Sequence, residues 1–406
     1  MKHCTLFLIL NFILTISYGQ NWSAKADIPG GINKRMAATS FTIYDTTAFV
    51  LGGLKSSGWA FVTYNDFWKY EADNDTWIQK SNFPGGPKYA HISFVIDSIA
   101  YVGCGGNQFG SLSSQFWAYN INTDAWTPIA SFPGAGRVYA SAMTIGSKGY
   151  IVRGVKFVGG NTVYLDDFWE YDPISNSWTQ KSNYPGGLRA GTIAFGIGTQ
   201  GYMGLGESDG FFQFDFYAYD PLTDIWTQKT GTPTSPISFA SAVVLFGKAY
   251  ILGGEFAHLQ YTSNVWEYNP NNNVWTPSAS FPGTPRRNAI SFVVNNEIYY
   301  GTGQIGSSEA NVEDDLWVLA NITAIHEKER SSLTIFPNPT SGQLSITLEE
   351  ASKGIISISN NLGQTIKLQA FNNAETVSIE FEGPAGMYFL QLEIDGEVIT
   401  KKIIKE

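Results

Sequence analysis

The sequence is poor in cysteine, histidine and charge. Of 406 residues two are cysteine and four are histidine, and charged residues make up only 15%. Cys4 falls inside an N-terminal stretch that reads as a leader, which leaves Cys104 alone and excludes an internal disulfide framework. In the turn Gly103-Cys104-Gly105-Gly106, Cys104 reads as a small buried residue. Positive charge is also short, with 25 Lys and Arg against 35 Asp and Glu, a net −10. Such a chain repels phosphate backbones unless a basic face is segregated, so no nucleic-acid partner is expected. Long apolar runs are missing too. The stretch from Leu6 to Ile16 is too short to span a bilayer and follows Lys2 and His3. With the small-residue exit Ser17-Tyr18-Gly19, residues 1–19 read as a signal peptide cut before Gln20, leaving no membrane span.

What the chain does have is aromatics, at 15%, and 42 glycines. They are arranged periodically. The unit is Asp166 to Gly187: an alternating run Phe168-Trp169-Glu170-Tyr171, a turn, then Trp178 opening a second run that stops at Pro185-Gly186. The first tryptophan recurs as Trp68, Trp117, Trp169, Trp266 and Trp317, with Tyr217 in the fourth copy, at spacings of 49, 52, 48, 49 and 51 residues. The second recurs as Trp77, Trp126, Trp178, Trp226 and Trp275. A period of this length marks a four-stranded propeller blade, which cannot bury both faces alone and stacks radially on its neighbours.

Each repeat opens on a basic residue or Pro and reaches a glycine 17 residues later: Arg35 to Gly52, Lys88 to Gly105, Arg137 to Gly154, Arg189 to Gly206, Pro236 to Gly253 and Arg286 to Gly303. Small and apolar residues follow the basic one, as an innermost strand crowded around an axis requires. Asn21-Trp22-Ser23 has the second half of a repeat without the first, and the last repeat ends at Trp317–Leu319 without its outer strand. The N-terminus is therefore expected to close the sixth blade and remove the free edges. The fold class predicted is all-β: a six-bladed propeller over residues 20–320, a polar linker at 321–332, and a small β-sandwich at 333–406.

In an up-and-down blade, the entry to the first strand and the exit from the second share a face, so the basic column and the long loops after the glycines converge there. Candidate ligand-binding residues on that face are Arg35, Lys88, Arg137, Arg189 and Arg286, with Arg287 beside the last, together with Trp59, His258 and Tyr261. Guanidinium groups at a channel mouth suit a carboxylate or sulfate; equally, a residue that recurs in every blade suits a lattice contact. Eleven of the twelve tryptophans belong to the repeat and Trp59 does not, so it reads either as a stacking residue or as the anchor of its own loop. His91, aligned with Ala38, Ala140, Thr192, Phe239 and Ala289, reads as a channel residue or a core histidine.

Arg at the inner strand, hydrophobic-Gly-Gly ending the second strand, an acid or amide two before the first Trp, Tyr171-Asp172-Pro173, Tyr219-Asp220-Pro221 and the second Trp together resemble the kelch repeat over residues 21–320. The chain departs from it at Arg153-Gly154, at Leu205 between Gly204 and Gly206, and at Thr302 between Gly301 and Gly303. The resemblance implies a propeller like the central domain of galactose oxidase. A copper site of that type needs two histidines and two tyrosines, and the mature chain has only His91, His258 and His326, the last beyond the propeller. No metal and no cofactor are expected. A binding protein, for a protein or carbohydrate ligand, is the leading reading. The alternative is an enzyme on acidic sugars, by analogy with periplasmic kelch propellers that mutarotate sialic acid. That analogy implies Arg137 and Arg189 on the acid group and Glu207 or Glu255 moving the proton.

The tail has alternating runs at Leu344–Leu348, Ile356–Ile358, Val377–Phe381, Tyr388–Leu392 and Val398–Ile404. Pro337-Asn338-Pro339, the turn Asn360-Asn361-Leu362-Gly363, Gly386-Met387-Tyr388-Phe389 and the terminal Thr400-Lys401-Lys402-Ile403-Ile404 resemble the C-terminal sorting domain read by the type IX secretion system. This resemblance implies recognition of residues 333–406 by the secretion machinery, and delivery through the periplasm to the outer surface or the medium.

Overall fold

The computed structural model describes residues 21–29, 34–56, 60–232, 236–308, 310–320, 334–360, 364–394 and 397–406. The leader 1–19 and the linker 321–332 lie outside the described residues. Two compact units are present, Met1–Ile322 and Thr323–Glu406.

The first unit is built of six antiparallel four-stranded sheets. Blade 3 shows the plan: Ser141–Ile145 innermost, then Lys148–Val152, Phe168–Asp172 and Ser177–Lys181 outermost. Inner strands alternate buried and half-buried residues, and second strands are buried almost throughout, as befits strands covered on both faces by adjacent blades. Neighbouring inner strands touch all the way round the axis. Hydroxyls tie them together: Thr39 donates to the His91 carbonyl at 2.9 Å, Ser141 to Thr192 at 2.7 Å and Ser40 to Ser291 at 2.8 Å.

The aromatic columns are the glue between blades. The Phe before the first Trp inserts between a Tyr and a Trp of the next blade. Phe67 meets Tyr119 at 4.9 Å and Trp126 at 5.3 Å, and Phe168 meets Tyr219 at 4.8 Å and Trp226 at 5.2 Å. Such edge-on pairs add about 1 kcal/mol each to the burial itself. The second Trp donates its indole N–H to a carbonyl of the preceding blade: Trp77 to Ala26, Trp178 to Ala130, Trp226 to Ser182 and Trp275 to Thr230, at 2.8–3.0 Å. Each outer turn carries a left-handed Asp or Asn whose side chain accepts from the blade's own Tyr, as Asp75 does from Tyr70 at 2.7 Å and Asn273 from Tyr268 at 3.0 Å. These turns occupy the face opposite the long loops.

Closure is made by the N-terminal strand. Asn21–Lys25 pairs antiparallel with Val312–Ala320, Asn21 opposite Ala320 and Lys25 opposite Leu316, as the outer strand of blade 6. Trp22 completes its column by donating to the Ala279 carbonyl at 2.9 Å.

The glycines hold the seam. Gly53, Gly105, Gly206, Gly254 and Gly303 donate their N–H to the carbonyls of Lys88, Arg137, Ile237, Arg286 and Arg35 in the next blade, at 2.8–3.0 Å. Their φ values run from 87° to 101°, and a Cβ at Gly206 would lie 2.6 Å from the Ala190 carbonyl oxygen. The seam corrects the expected register in two blades. In blade 1 the equivalent glycine is Gly53, not Gly52, because the turn at Tyr44-Asp45-Thr46 has one residue more than its counterparts. In blade 5 the pair is Ile237 and Gly254, not Pro236 and Gly253, and Ala240 rather than Phe239 aligns with His91.

The second unit is one five-stranded sheet bent on itself: Thr334–Phe336, Gln343–Asn360, Thr365–Glu380, Gly386–Ile394 and Glu397–Lys405. Register shifts between Thr347 and Gly354 bend the long second strand. The inner face packs Ile346, Ile356, Ile358, Leu390, Leu392 and Ile403, all fully buried. Asn338 ties the Pro337-Asn338-Pro339 corner to the last strand, donating to the Lys402 carbonyl at 2.9 Å and accepting from the Ile404 N–H at 2.8 Å. Of the expected turn Asn360-Asn361-Leu362-Gly363, the last three residues lie outside the described residues.

Candidate functional site

The basic column is taken up inside the blades, which favours the lattice contact over the ligand-facing role for the candidates Arg35, Arg137, Arg189 and Arg286. Arg35 clamps Asp66 with two hydrogen bonds of 2.7 Å, and Arg137 clamps Asp167 at 2.5 and 2.7 Å. Arg189 and Arg286 hold Asp215 and Asp315 in the same two-pronged way. Each guanidinium also donates to the carbonyl at the end of its second strand and stacks on an aromatic ring, Arg137 over Phe132 at 4.6 Å and Arg286 over Phe281 at 4.7 Å. Their exposure is 0–3%. The aspartate is shared with the first Trp, whose indole donates to Asp66, Asp167 and Asp315. Lys88 has no such acid, because Gln115 stands there; it bonds the Gly85 carbonyl over Phe83, and burial pulls its ammonium below the usual range.

Nor do the proposed catalytic four come together. Arg137 and Arg189 are held by their own aspartates. Glu207 accepts the Gly210 N–H at 2.9 Å in its hairpin, while Glu255, 3% exposed, pairs with Arg287 and accepts the Leu259 N–H at 2.6 Å. His258 is exposed at the tip of the same hairpin. Tyr261 joins that hairpin to blade 6 by donating to the Gly306 carbonyl at 3.0 Å. Trp59 lies outside the described residues.

The loop-bearing face has a different centre. Arg287 pairs with buried Glu255, donates through Nε to Gln304 at 3.0 Å, and lies between the rings of Phe239 and Tyr261 at 5.4 and 5.7 Å. Phe239 in turn meets Tyr139 edge-on at 5.2 Å, leaning over Gly191, where a Cβ would lie 2.8 Å from its ring. Tyr139 continues to Tyr89 at 6.0 Å. A half-buried arc of aromatics thus crosses the axis from blade 2 to blade 5 and ends on a cation. Below it is a cavity of about 140 Å³ lined by Ala38, His91, Ala140, Thr192 and Ala289 among others. His91 is in van der Waals contact rather than hydrogen-bonded: both ring nitrogens are buried without a partner, and burial, with the charge of Lys88, pushes the imidazole down to about 3.

Around this centre the hairpins interlock. The Asp209 N–H donates to the Tyr164 hydroxyl at 2.9 Å, joining blades 3 and 4, and Lys34 meets Glu313 at 2.6 Å. Four consecutive blades raise a phenylalanine into solvent: Phe61 at 46% exposure, Phe109 at 83%, Phe157 at 43% and Phe211 at 74%. Phe239, Tyr139, Tyr89 and Gln304 escape a reading by columns because each differs from its counterparts in the other blades. That irregularity is itself the signal available in the sequence.

The Kelch motif matches residues 136–183 and 236–282, and the Secretion system C-terminal sorting domain matches residues 334–406. No curated protein matches the chain in sequence. Among solved structures, that titled "Structure of YjhT" matches with a TM-score of 0.58 at 17% identity, covering 72% of this chain and 96% of its own. At that identity the likeness is one of fold. With the six closed blades and the repeat lattice, these matches identify the chain as a kelch-repeat β-propeller carrying a type IX secretion system C-terminal sorting domain.

Proposed function

We propose that this exported kelch protein is a binding protein that works at the cell surface or outside the cell, with its protein or carbohydrate ligand on the loop-bearing face. The observation that carries this reading is Arg287. Its guanidinium is positioned by Glu255, Gln304, Phe239 and Tyr261, yet its residue stays partly open at the centre of a face rimmed by exposed phenylalanines. Aromatic and Arg anchors held in place before binding, with apolar groups around them, are what a recognition surface needs. Interlocked hairpins lower the ordering cost of docking. The sorting tail supports delivery to the surface or medium through the secretion machinery; passage through the periplasm after removal of residues 1–19 completes the proposed route.

An enzyme on acidic sugars is the weaker reading. Its proposed acid-group ligands, Arg137 and Arg189, are themselves buried and would have to leave their half-buried aspartates to meet substrate, a loss of about 3 kcal/mol. The test is a screen of the purified protein against glycan arrays and extracellular protein fractions, with wild type, Arg287→Ala and the double variant Phe109→Ala/Phe211→Ala. A ligand whose binding drops at least tenfold in either variant, with the variant still folded at the assay temperature, supports the reading. Binding indifferent to both variants moves the site off this face, and turnover of an acidic sugar revives the enzyme.

A further inference from the structure

Among the described residues, Arg153 is the one cation of the propeller interior that departs from the lattice. It occupies the position held by Gly52, Cys104, Leu205, Gly253 and Thr302 in the other blades, all with φ between 56° and 64°, and it adopts φ 61° itself. This position aims a side chain at the next blade: a Cβ on Gly52 would lie 2.7 Å from the Lys88 carbonyl oxygen, and one on Gly253 2.9 Å from that of Arg286. An arginine there is driven against blade 4. Its Nη2 donates to the Tyr184 carbonyl at 2.8 Å, and its guanidinium lies 4.8 Å from the Tyr184 ring centre. Arg189 occupies the same ring at 5.5 Å. Two guanidinium groups thus flank one phenol, and the three residues are 1–3% exposed.

The charges and donors around Tyr184 do not balance. Asp215 is taken by Arg189, and among the described residues Arg153 makes no ion pair; Asp166 acts on it only from an exposed position. Nε and Nη1 of Arg153, Nε of Arg189 and the Tyr184 hydroxyl are all buried without a partner. The comparable Nε atoms of Arg137 and Arg286 each reach a carbonyl two residues back, at 3.0 Å. Guanidinium groups carry donors and no acceptor, so the deficit is one of acceptor and of negative charge together. Burial, with the Arg189 charge, pulls Arg153 down to about 10, in keeping with that deficit.

We propose that the seam between blades 3 and 4 is a binding site for a small monovalent anion, a halide or an ion of similar size, held by Arg153, Arg189 and the Tyr184 hydroxyl. A water molecule would accept two of these hydrogen bonds but supply no charge. A divalent or bulky anion would exceed both the local charge and the space that closely packed blades leave. The site is independent of the ligand on the loop-bearing face.

The experiment follows thermal unfolding of the full chain at constant ionic strength in sodium chloride, sodium bromide and sodium gluconate. It is paired with anomalous diffraction from crystals soaked in bromide. The melting temperature rises with each decade of halide beyond what gluconate gives, because the ion binds only the folded state. A bromide peak appears within hydrogen-bonding distance of Arg153 and Arg189. Arg153→Gly, which restores the residue found in blades 1 and 5, abolishes both, and Tyr184→Phe weakens both. Superimposed halide and gluconate curves for wild type overturn the proposal, as does a halide increment unchanged in Arg153→Gly. If that variant does not fold, an unchanged increment in Tyr184→Phe overturns it instead.

Discussion

Ile237 and Asn264 occupy in blade 5 the two places that Arg286 and Asp315 occupy in blade 6, so the cation and the acid are lost together. Blade 2 has Lys88 with Gln115, and again the acid is missing. Where arginine and aspartate are both present the two clamp each other, while Lys88, left without an acid, turns to the Gly85 carbonyl. The column is therefore a set of four internal clamps, each shared with an indole or an aromatic ring, and its chemistry is spent on holding the blade.

Removing one partner of such a clamp is expected to cost far more than removing both. Asp167→Ala leaves Arg137 buried without its carboxylate and lowers stability by about 3 kcal/mol, while Arg137→Met/Asp167→Asn recovers most of the loss. Urea unfolding of the two variants checks this, and equal losses would count against the clamp.

Acid should undo part of the same contact. Burial works against the charged form of Asp167, but the hydrogen bonds and charge of Arg137 outweigh it and hold the carboxyl below its ordinary value. A depressed folded value means the stabilisation is complete above the ordinary carboxyl range and is lost as pH falls through the lowered one. Asp167→Asn accordingly removes part of the acid slope of stability below about pH 4, measured by denaturant midpoints along a pH series.

His91 gives a second pH signature at higher pH. With a folded value of about 3 it stays neutral while the unfolded chain takes up a proton near 6.5. Its folded value is depressed, so stability is whole above about pH 7 and declines as pH falls, by on the order of 2 kcal/mol at pH 5. His91→Ala, the residue that blades 1, 3, 5 and 6 carry at this place, flattens that decline. A slope identical to wild type would mean that the imidazole titrates in the fold as it does in the unfolded chain.

Gly206→Ala is expected to destabilise by about 2 kcal/mol or more, since φ is 91° and the new methyl meets the Ala190 carbonyl, which accepts the Glu207 N–H beside Gly206's own bond to the Ile237 carbonyl. Gly247→Ala, at φ 69° in an open turn with nothing within 4 Å, is the milder companion. Thermal melts of the two separate seam geometry from general backbone strain.

The blade count and the closing strand were legible because Trp, Phe and Gly at each repeat position answer to contacts between blades, and a lattice contact must recur. Between a ligand role and a lattice role for the arginines the sequence left the choice open, and the partner was hidden. Asp66 and Asp167 lie about thirty residues from Arg35 and Arg137, and the acid two before the first Trp looks like a strand-start residue until the sheet folds back. The slip between Pro236 and Ile237 has a similar cause: a glycine stands 17 residues after each, Gly253 and Gly254, and only the bridge from Ser238 to Glu255 selects the register. Arg287, Phe239 and Tyr139 stand at repeat positions whose residue type varies from blade to blade, so periodicity, which revealed the scaffold, passed over the centre of the candidate site.

The pairing of Asn21 with Ala320 makes the last contact of the ring also its longest in sequence. Five blades can assemble as the chain is made, each on its neighbour, but the sixth waits for both ends. Until then the strand Val312–Ala320 offers a bare row of hydrogen-bonding groups to any extended peptide nearby. The propeller thus has a window in its life when it is nearly complete and still able to join the wrong partner, and its safe passage depends on how briefly that window stays open.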